Sequence, residues 1–191
     1  MRTRGGLLRL AVRRRLRPAP VYFVPIGPAR VPISQADYGV DWETMRTIVV
    51  DRAYEADYRG AVVVDVGAHK GAFGAYALEQ GARLVLSYEP EETNYRYLEA
   101  CAAAVPAQHW RTHRAAVGSS AGTAELQVMD ASWGHALTPS AESVADRIGV
   151  QQVPVAAMAA VLRAARELAG SDRVVVKGNA VSITSGDITP S

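Results

Sequence analysis

The sequence predicts an α/β protein built on a doubly wound parallel sheet. Three observations carry the prediction: the apolar run Ala61–Val66, the turn bracketed by Gly67 and Gly71 with a helical pattern after it, and the second apolar run Arg83–Tyr88, closed by Glu89. A run that is apolar except for Asp65 suits a parallel strand buried on both faces. The helix expected from Ala72 to Gln80 puts Phe73, Tyr76 and Ala77 on one face, and Gly81 supplies the stop.

The chemistry of this unit lies in its acids. Gly67, Gly71 and Gly74 do not follow the GxGxxG spacing of a dinucleotide loop, and no GK[ST] marks a phosphate loop. A carboxylate at Asp65, two residues before the first glycine, would repel a pyrophosphate but suits a ligand with a cationic end. An acid at the tip of the second strand, Glu89, can accept both hydroxyls of a ribose. Together they suggest S-adenosylmethionine, which carries a sulfonium and an ammonium and no phosphate. A structural reading stands beside this one. The glycines could merely shape a turn, Asp65 could bond to backbone N–H groups, and Glu89 could complement the next helix's dipole.

The other elements follow in chain order. Met1–Arg17 places Leu7, Leu8, Leu10, Val12 and Leu16 among seven arginines. The apolar runs are too interrupted for a secretory signal and too short to span a bilayer. A disordered tail is the favoured reading, with a basic amphipathic helix on anionic lipid as the alternative. Pro18–Pro32 holds five prolines and reads as an extended connector with one short strand at Val21–Val24. Asp41 is expected to cap a helix from Trp42 to about Tyr58, with Trp42, Met45, Ile48 and Val49 as its apolar stripe. Pro90 is expected in the first turn of a helix reaching about Ala104, buried through Tyr95, Leu98, Cys101 and Ala102. Cys101 on that face reads as a core thiol. A third strand is expected near Arg114–Val117, with a strand or hairpin arm at Gly122–Met129. The loop Asp130–Glu142 contains His135, the loop's candidate general base, weighed against an ordinary loop histidine. A helix is expected over Val155–Ala169 with Gly170 as its stop, and Val174–Val176 begins a fourth buried strand. His109 and His113 lie four apart, a spacing that suits a metal on a helix but not on a strand, so no metal site is expected.

Two stretches resemble a known family. Asp65-Val66-Gly67-Ala68-x-x-Gly71, and Tyr88-Glu89-Pro90 followed by Asn94-Tyr95 and Leu98, are similar to the FkbM-type methyltransferases. Arg114–Gly118 and Gly122–Leu126 look like that family's third strand and following hairpin, and the resemblance runs from about Trp42 to Lys177. It implies a class I methyltransferase fold, Rossmann-like, that binds S-adenosylmethionine and methylates hydroxyls of sugars or natural products. Carried over by position, Asp65, Gly67, Ala68, Gly71 and Glu89 would line the cofactor pocket. His69 stands where the family commonly has Asn. Ala115–Gly118 would approach the adenine, and the loop holding His135 would lie near the acceptor.

The resemblance stops at Lys177. The family's fourth strand continues into acids, whereas this chain reads Lys177-Gly178-Asn179-Ala180. The expectation is therefore a sheet lacking its C-terminal strands, with an arm at residues 1–36, the cofactor-binding domain at 37–177 and an irregular tail at 178–191. A fourth strand left at the edge would be open to pairing, and the tail could cover it. The function expected is a methyltransferase. The alternatives are an inactive cofactor-binding fragment and a membrane-surface or scaffold protein using the basic amino terminus.

Charge narrows the partners. The chain carries +2 overall, but residues 1–36 hold eight arginines and no acid, so the remainder sums to −6. Nucleic-acid binding by that acidic body is not expected. A single cysteine allows no internal disulfide and points to a reducing, cytoplasmic setting. The partner expected is a small-molecule or glycan hydroxyl acceptor.

Overall fold

The structure, a computed structural model, describes residues 20–129, 147–178 and 182–184. It opens with an antiparallel hairpin of β1 (Val21–Ile26) and β2 (Ala29–Ser34), turned at Gly27 and Pro28. This corrects the extended connector expected here. A two-stranded ribbon has an edge on each strand, so its prolines interrupt no interior ladder. Tyr22, Val24 and Ile26 alternate inward and are buried in the main core with Val31 and Ile33. Residue 36 is thus no packing boundary between an arm and a domain.

Helix α1 (Tyr38–Met45) widens into a π-helical turn over Arg46–Val50, where the Asp51 N–H reaches back five residues to the Arg46 carbonyl. The helix begins earlier and ends earlier than expected, at Val50 rather than Tyr58. Asp41 is not its cap. It lies inside the helix, drawn into a buried ion pair described below. Met45, Ile48 and Val49 form the buried stripe, with Trp42 half-buried beside them.

The main sheet comes next: β3 (Val62–Val66), α2 (Ala72–Glu79), β4 (Leu84–Tyr88), α3 (Glu92–Ala102) and β5 (Trp110–His113). β3, β4 and β5 run parallel in that order. The third strand thus ends before Arg114, several residues ahead of the expected span. Trp110 decides this, because its ring is buried against Gly74 of α2. Ala116–Gly118 forms β6 in a second sheet of order β6-β8-β7, with β7 at Gly122–Met129 and β8 at Arg147–Ala157. The helix expected from Val155 starts at Met158 as α4 (Met158–Ala169), since residues 155–157 pair with β6 and Val155 pairs with β7 as well. The final parallel strand, β9 (Val174–Lys177), lies on the other side of β3.

Alternating residues of the sheet feed two cores. Val63, Val85 and Val175 face the hairpin, α1, α2 and α3, while Val62, Val64, Leu84, Leu86, Val174 and Val176 face α4. Burial of each such side chain contributes roughly 1.5–3 kcal/mol, which fixes the register of the strands and so the height of every residue at their tips. The sheet is doubly wound: from β3 the chain adds β4 and β5 on one side and β9 on the other, so the strand order reverses between β3 and β9 and that crevice is the switch point.

The edge of β9 is not bare. β10 (Ser182–Thr184) pairs antiparallel with it, Ser182 opposite Lys177 and Thr184 opposite Val175. The tail expected to be irregular therefore contributes a strand, on the edge that most needed one. His135 and the Arg-rich segment 1–17 lie outside the described residues.

Candidate functional site

The turn after β3 owes its shape to three left-handed residues: Gly67 (φ 70°), His69 (φ 52°) and Gly71 (φ 92°). Glycine adopts this region freely, and histidine, like asparagine, is among the side chains that enter it most readily. That accounts for a histidine where the resembled family has Asn.

This turn commits its N–H groups internally. Gly67 and Ala68 both donate to the Tyr88 carbonyl at 3.0 Å, and His69 donates to Glu89 Oε2 at 2.8 Å. A phosphate cradle needs successive N–H groups turned outward. Here they are spent holding the end of β4, so the loop is built for something other than phosphate.

Glu89 is held by the last of these N–H groups, that of His69. Its Oε1 accepts the Glu91 N–H at 3.0 Å, so each oxygen takes one backbone donor and keeps a lone pair for another. Burial pushes its carboxyl up to about 7, against the lowering pull of the Glu91 and His69 N–H groups. Its neighbour Glu91 caps α3 by accepting the Asn94 N–H at 2.7 Å, so Pro90, expected in the first turn of this helix, lies just before its cap. Gln151 of β8 bonds to Glu91 Oε1 at 2.8 Å and ties the second sheet to this corner.

Asp65 is fully buried at the end of β3. Its Oδ1 lies 3.0 Å from Lys177 Nζ, and its Oδ2 accepts from Ser87 Oγ at 3.3 Å. Ser87 in turn accepts from Trp110 Nε1 at 3.0 Å. Lys177 also donates to the carbonyls of Gly67 (2.9 Å) and Val66 (3.4 Å). A polar line therefore crosses four adjacent strands, β5-β4-β3-β9, just below the loop.

The loop is anchored from beneath by a residue with no evident role in the sequence. Lys70 points away from the cleft into the core, where Nζ donates to Asp37 Oδ2 (2.7 Å), Asp41 Oδ2 (2.9 Å) and Ser34 Oγ (3.1 Å). It ties the loop to the hairpin and to α1. Burial pushes the Asp41 carboxyl up despite Lys70. At the more open Asp37, burial is outweighed by the Lys70 and Ser34 bonds, and the carboxyl is held down.

Above these groups lies a cleft of about 440 Å³ at the carboxyl ends of β3, β4 and β9. Gly67, Ala68, His69, Glu89 and Lys177 line one side, and Thr44, Thr47 and Ile48 from α1 and its π-turn, with Tyr54 from the turn after it, line the other. Of the predicted site residues, Gly67, Ala68, His69 and Glu89 line it directly. Gly71 sits under the loop against Leu98, Cys101 and Trp110, and Asp65 reaches the cleft only through Lys177. Ala115–Gly118, expected near an adenine, are not among the lining residues; Ala116–Gly118 belong to the second sheet. The α1 wall was missed, although Thr44-x-x-Thr47-Ile48 on one helical face was a signal available in the sequence. Cys101 is buried, and its thiol is pushed up to about 12, as a core residue would be.

Among the described residues no cluster of three His, Cys, Asp or Glu could hold a metal, and no helix is long and apolar enough to cross a membrane. No family model matches the chain, and no curated protein matches it. Among solved structures, 38% of the chain is similar to 37% of a candidate RNA methyltransferase from Pyrococcus horikoshii, at 20% identity and a TM-score of 0.32. A candidate S-adenosylmethionine-dependent methyltransferase from Listeria monocytogenes is similar over 66% of this chain and 78% of its own, at 11% identity and a TM-score of 0.30. The chain thus spans little more than a third of the first of these proteins. The functional reading below rests on the geometry of the site itself.

Proposed function

We propose that the cleft binds the nucleoside part of S-adenosylmethionine and that the chain is a methyltransferase of the FkbM type, acting on a hydroxyl of a sugar or natural product. One observation carries the reading. Glu89, at the tip of the second strand, is held by two backbone N–H groups with acceptor capacity turned to a cleft that offers a phosphate no cradle. A ribose brings two hydroxyl donors and would satisfy that capacity. The cofactor would supply an activated methyl group, and this chain's part would be to orient it and exclude water.

A second reading has its own support. β9 ends in Lys177 and is followed by Gly178 rather than by acids, so the acceptor side lacks the carboxylates that the resemblance implies. A unit that binds the cofactor without transferring its methyl group fits that departure. Calorimetric titration with S-adenosylmethionine and with 5′-methylthioadenosine tests the shared claim, which fails if neither binds a well-folded chain. Transfer of labelled methyl to a panel of sugar and natural-product hydroxyls then separates the two readings. Binding without transfer favours the second.

A further inference from the structure

The floor of the cleft contains a cation subsite, and the chain fills it itself. Asp65 Oδ1 and the carbonyl oxygens of Val66 and Gly67 converge on one point, and Lys177 Nζ lies there, at 3.0, 3.4 and 2.9 Å. The rings of Phe73 and Tyr54 lie 5.5 and 5.9 Å from the same nitrogen. An anionic oxygen, two carbonyls and two aromatic rings form a nest for an ammonium group. Lys177 is 6% exposed and lines the cleft, so its ammonium sits where a bound ligand's cationic arm would come to rest.

We propose that Lys177 is a tethered occupant of this subsite and sets the ligand specificity of the cleft. The native chain then prefers adenosine thioethers without an ammonium group over those with one. The inference rests on the nucleoside reading above, and because S-adenosylmethionine carries the ammonium that the chain resists, it sides with the second functional reading, a nucleoside-binding unit that does not transfer the methyl group. An incoming ammonium must displace Lys177 from three oxygen partners, because Asp65 is fully buried behind Lys177 and lines no part of the cleft itself. A ligand that ends at the thioether meets no such competitor.

The test is calorimetry with 5′-methylthioadenosine and S-adenosylhomocysteine. They share the adenosine and the sulfur but differ in the amino-acid arm. The native chain is expected to bind the first at least tenfold more tightly. Lys177→Met, which keeps the unbranched stem and removes the charged tip, is expected to gain at least tenfold for S-adenosylhomocysteine and to change little for methylthioadenosine. Because Lys177→Met leaves Asp65 charged and buried, Asp65→Asn/Lys177→Met is measured beside it. With neither charge present, it should bind both ligands without the gain. A native chain that prefers S-adenosylhomocysteine, and loses that preference in Lys177→Met, would show that Lys177 binds the ligand's carboxylate and would overturn the proposal. Equal affinities in all three proteins would overturn it too. Binding of neither ligand by a well-folded native chain would instead bring down the nucleoside reading, and the proposal with it.

Discussion

Lys177 and Asp65 are register partners at the ends of the neighbouring parallel strands β9 and β3, and their charged atoms lie 3.0 Å apart in the floor of the cleft. The pairing follows from strand arithmetic. Val63 and Val175 face the same core, so two residues further on Asp65 and Lys177 emerge on that same side. The pair is buried, so it holds β9 to β3 only while both members are present.

Removing one member should be costlier than removing both. Lys177→Met is expected to destabilise the chain by about 3 kcal/mol, because it strands a buried carboxylate. Asp65→Asn/Lys177→Met should recover most of that loss. Urea unfolding of the two variants beside the native protein measures the difference.

Glu89 makes both binding and stability depend on pH. Its folded pKa, raised by burial to about 7, lies above its ordinary value of 4.5. The folded state therefore holds this proton more tightly than the unfolded state. The stability it confers is full below about pH 4.5 and is lost as the pH rises through 7, a change on the order of 3 kcal/mol. Glu89→Gln should lack this loss, so its melting temperature should gain on the native value between pH 5 and pH 8. Ribose binding should run the other way, since the ionised carboxylate is the better acceptor. Affinity for methylthioadenosine should fall about tenfold from pH 8 to pH 6 in the native protein.

Gly74 is required by space rather than by backbone angle. A Cβ there would lie 2.4 Å from Cζ2 of Trp110, whose ring is pinned by its bond to Ser87. Gly74→Ala should destabilise by about 2 kcal/mol through overpacking. Because Ser87 also bonds to Asp65, the strain should show as a changed tryptophan fluorescence spectrum in the folded state.

Lys70 is expected to matter more for the shape of the loop than its place inside the motif suggests. Lys70→Met leaves Asp41 buried without its cation and should cost about 3 kcal/mol. Hydrogen exchange should quicken in both the Gly67–Gly71 loop and the turn of residues 34–41, because one ammonium joins them.

The strand–loop–helix–strand unit was legible in the sequence because every local signal agreed. Unbroken apolar runs, glycines at the left-handed positions and an acid closing β4 all pointed to one arrangement. The hairpin at residues 21–34 was obscured by its prolines, whose ordinary meaning is extended chain and which only a two-stranded ribbon tolerates so well. Asp41 read as a cap because its partner, Lys70, lies 29 residues away, and no local pattern announces a long-range ion pair. The third strand was set too late because Ala115–Val117 is more apolar than Trp110–His113. Burial of a single tryptophan against Gly74 outweighed that apolar run. Lys177 was visible as the last matched residue, but its contact with Asp65 depends on β9 lying beside β3, which brings together register partners 112 positions apart.

The most direct test of the account is the titration of 5′-methylthioadenosine into the native protein and into Glu89→Gln at pH 8. The account predicts a dissociation constant of about 100 μM or tighter, roughly −5.5 kcal/mol, that is lost in a variant still folded by its melting curve. A folded native chain that binds no nucleoside, or a Glu89→Gln chain that binds as well as the native one, would contradict it.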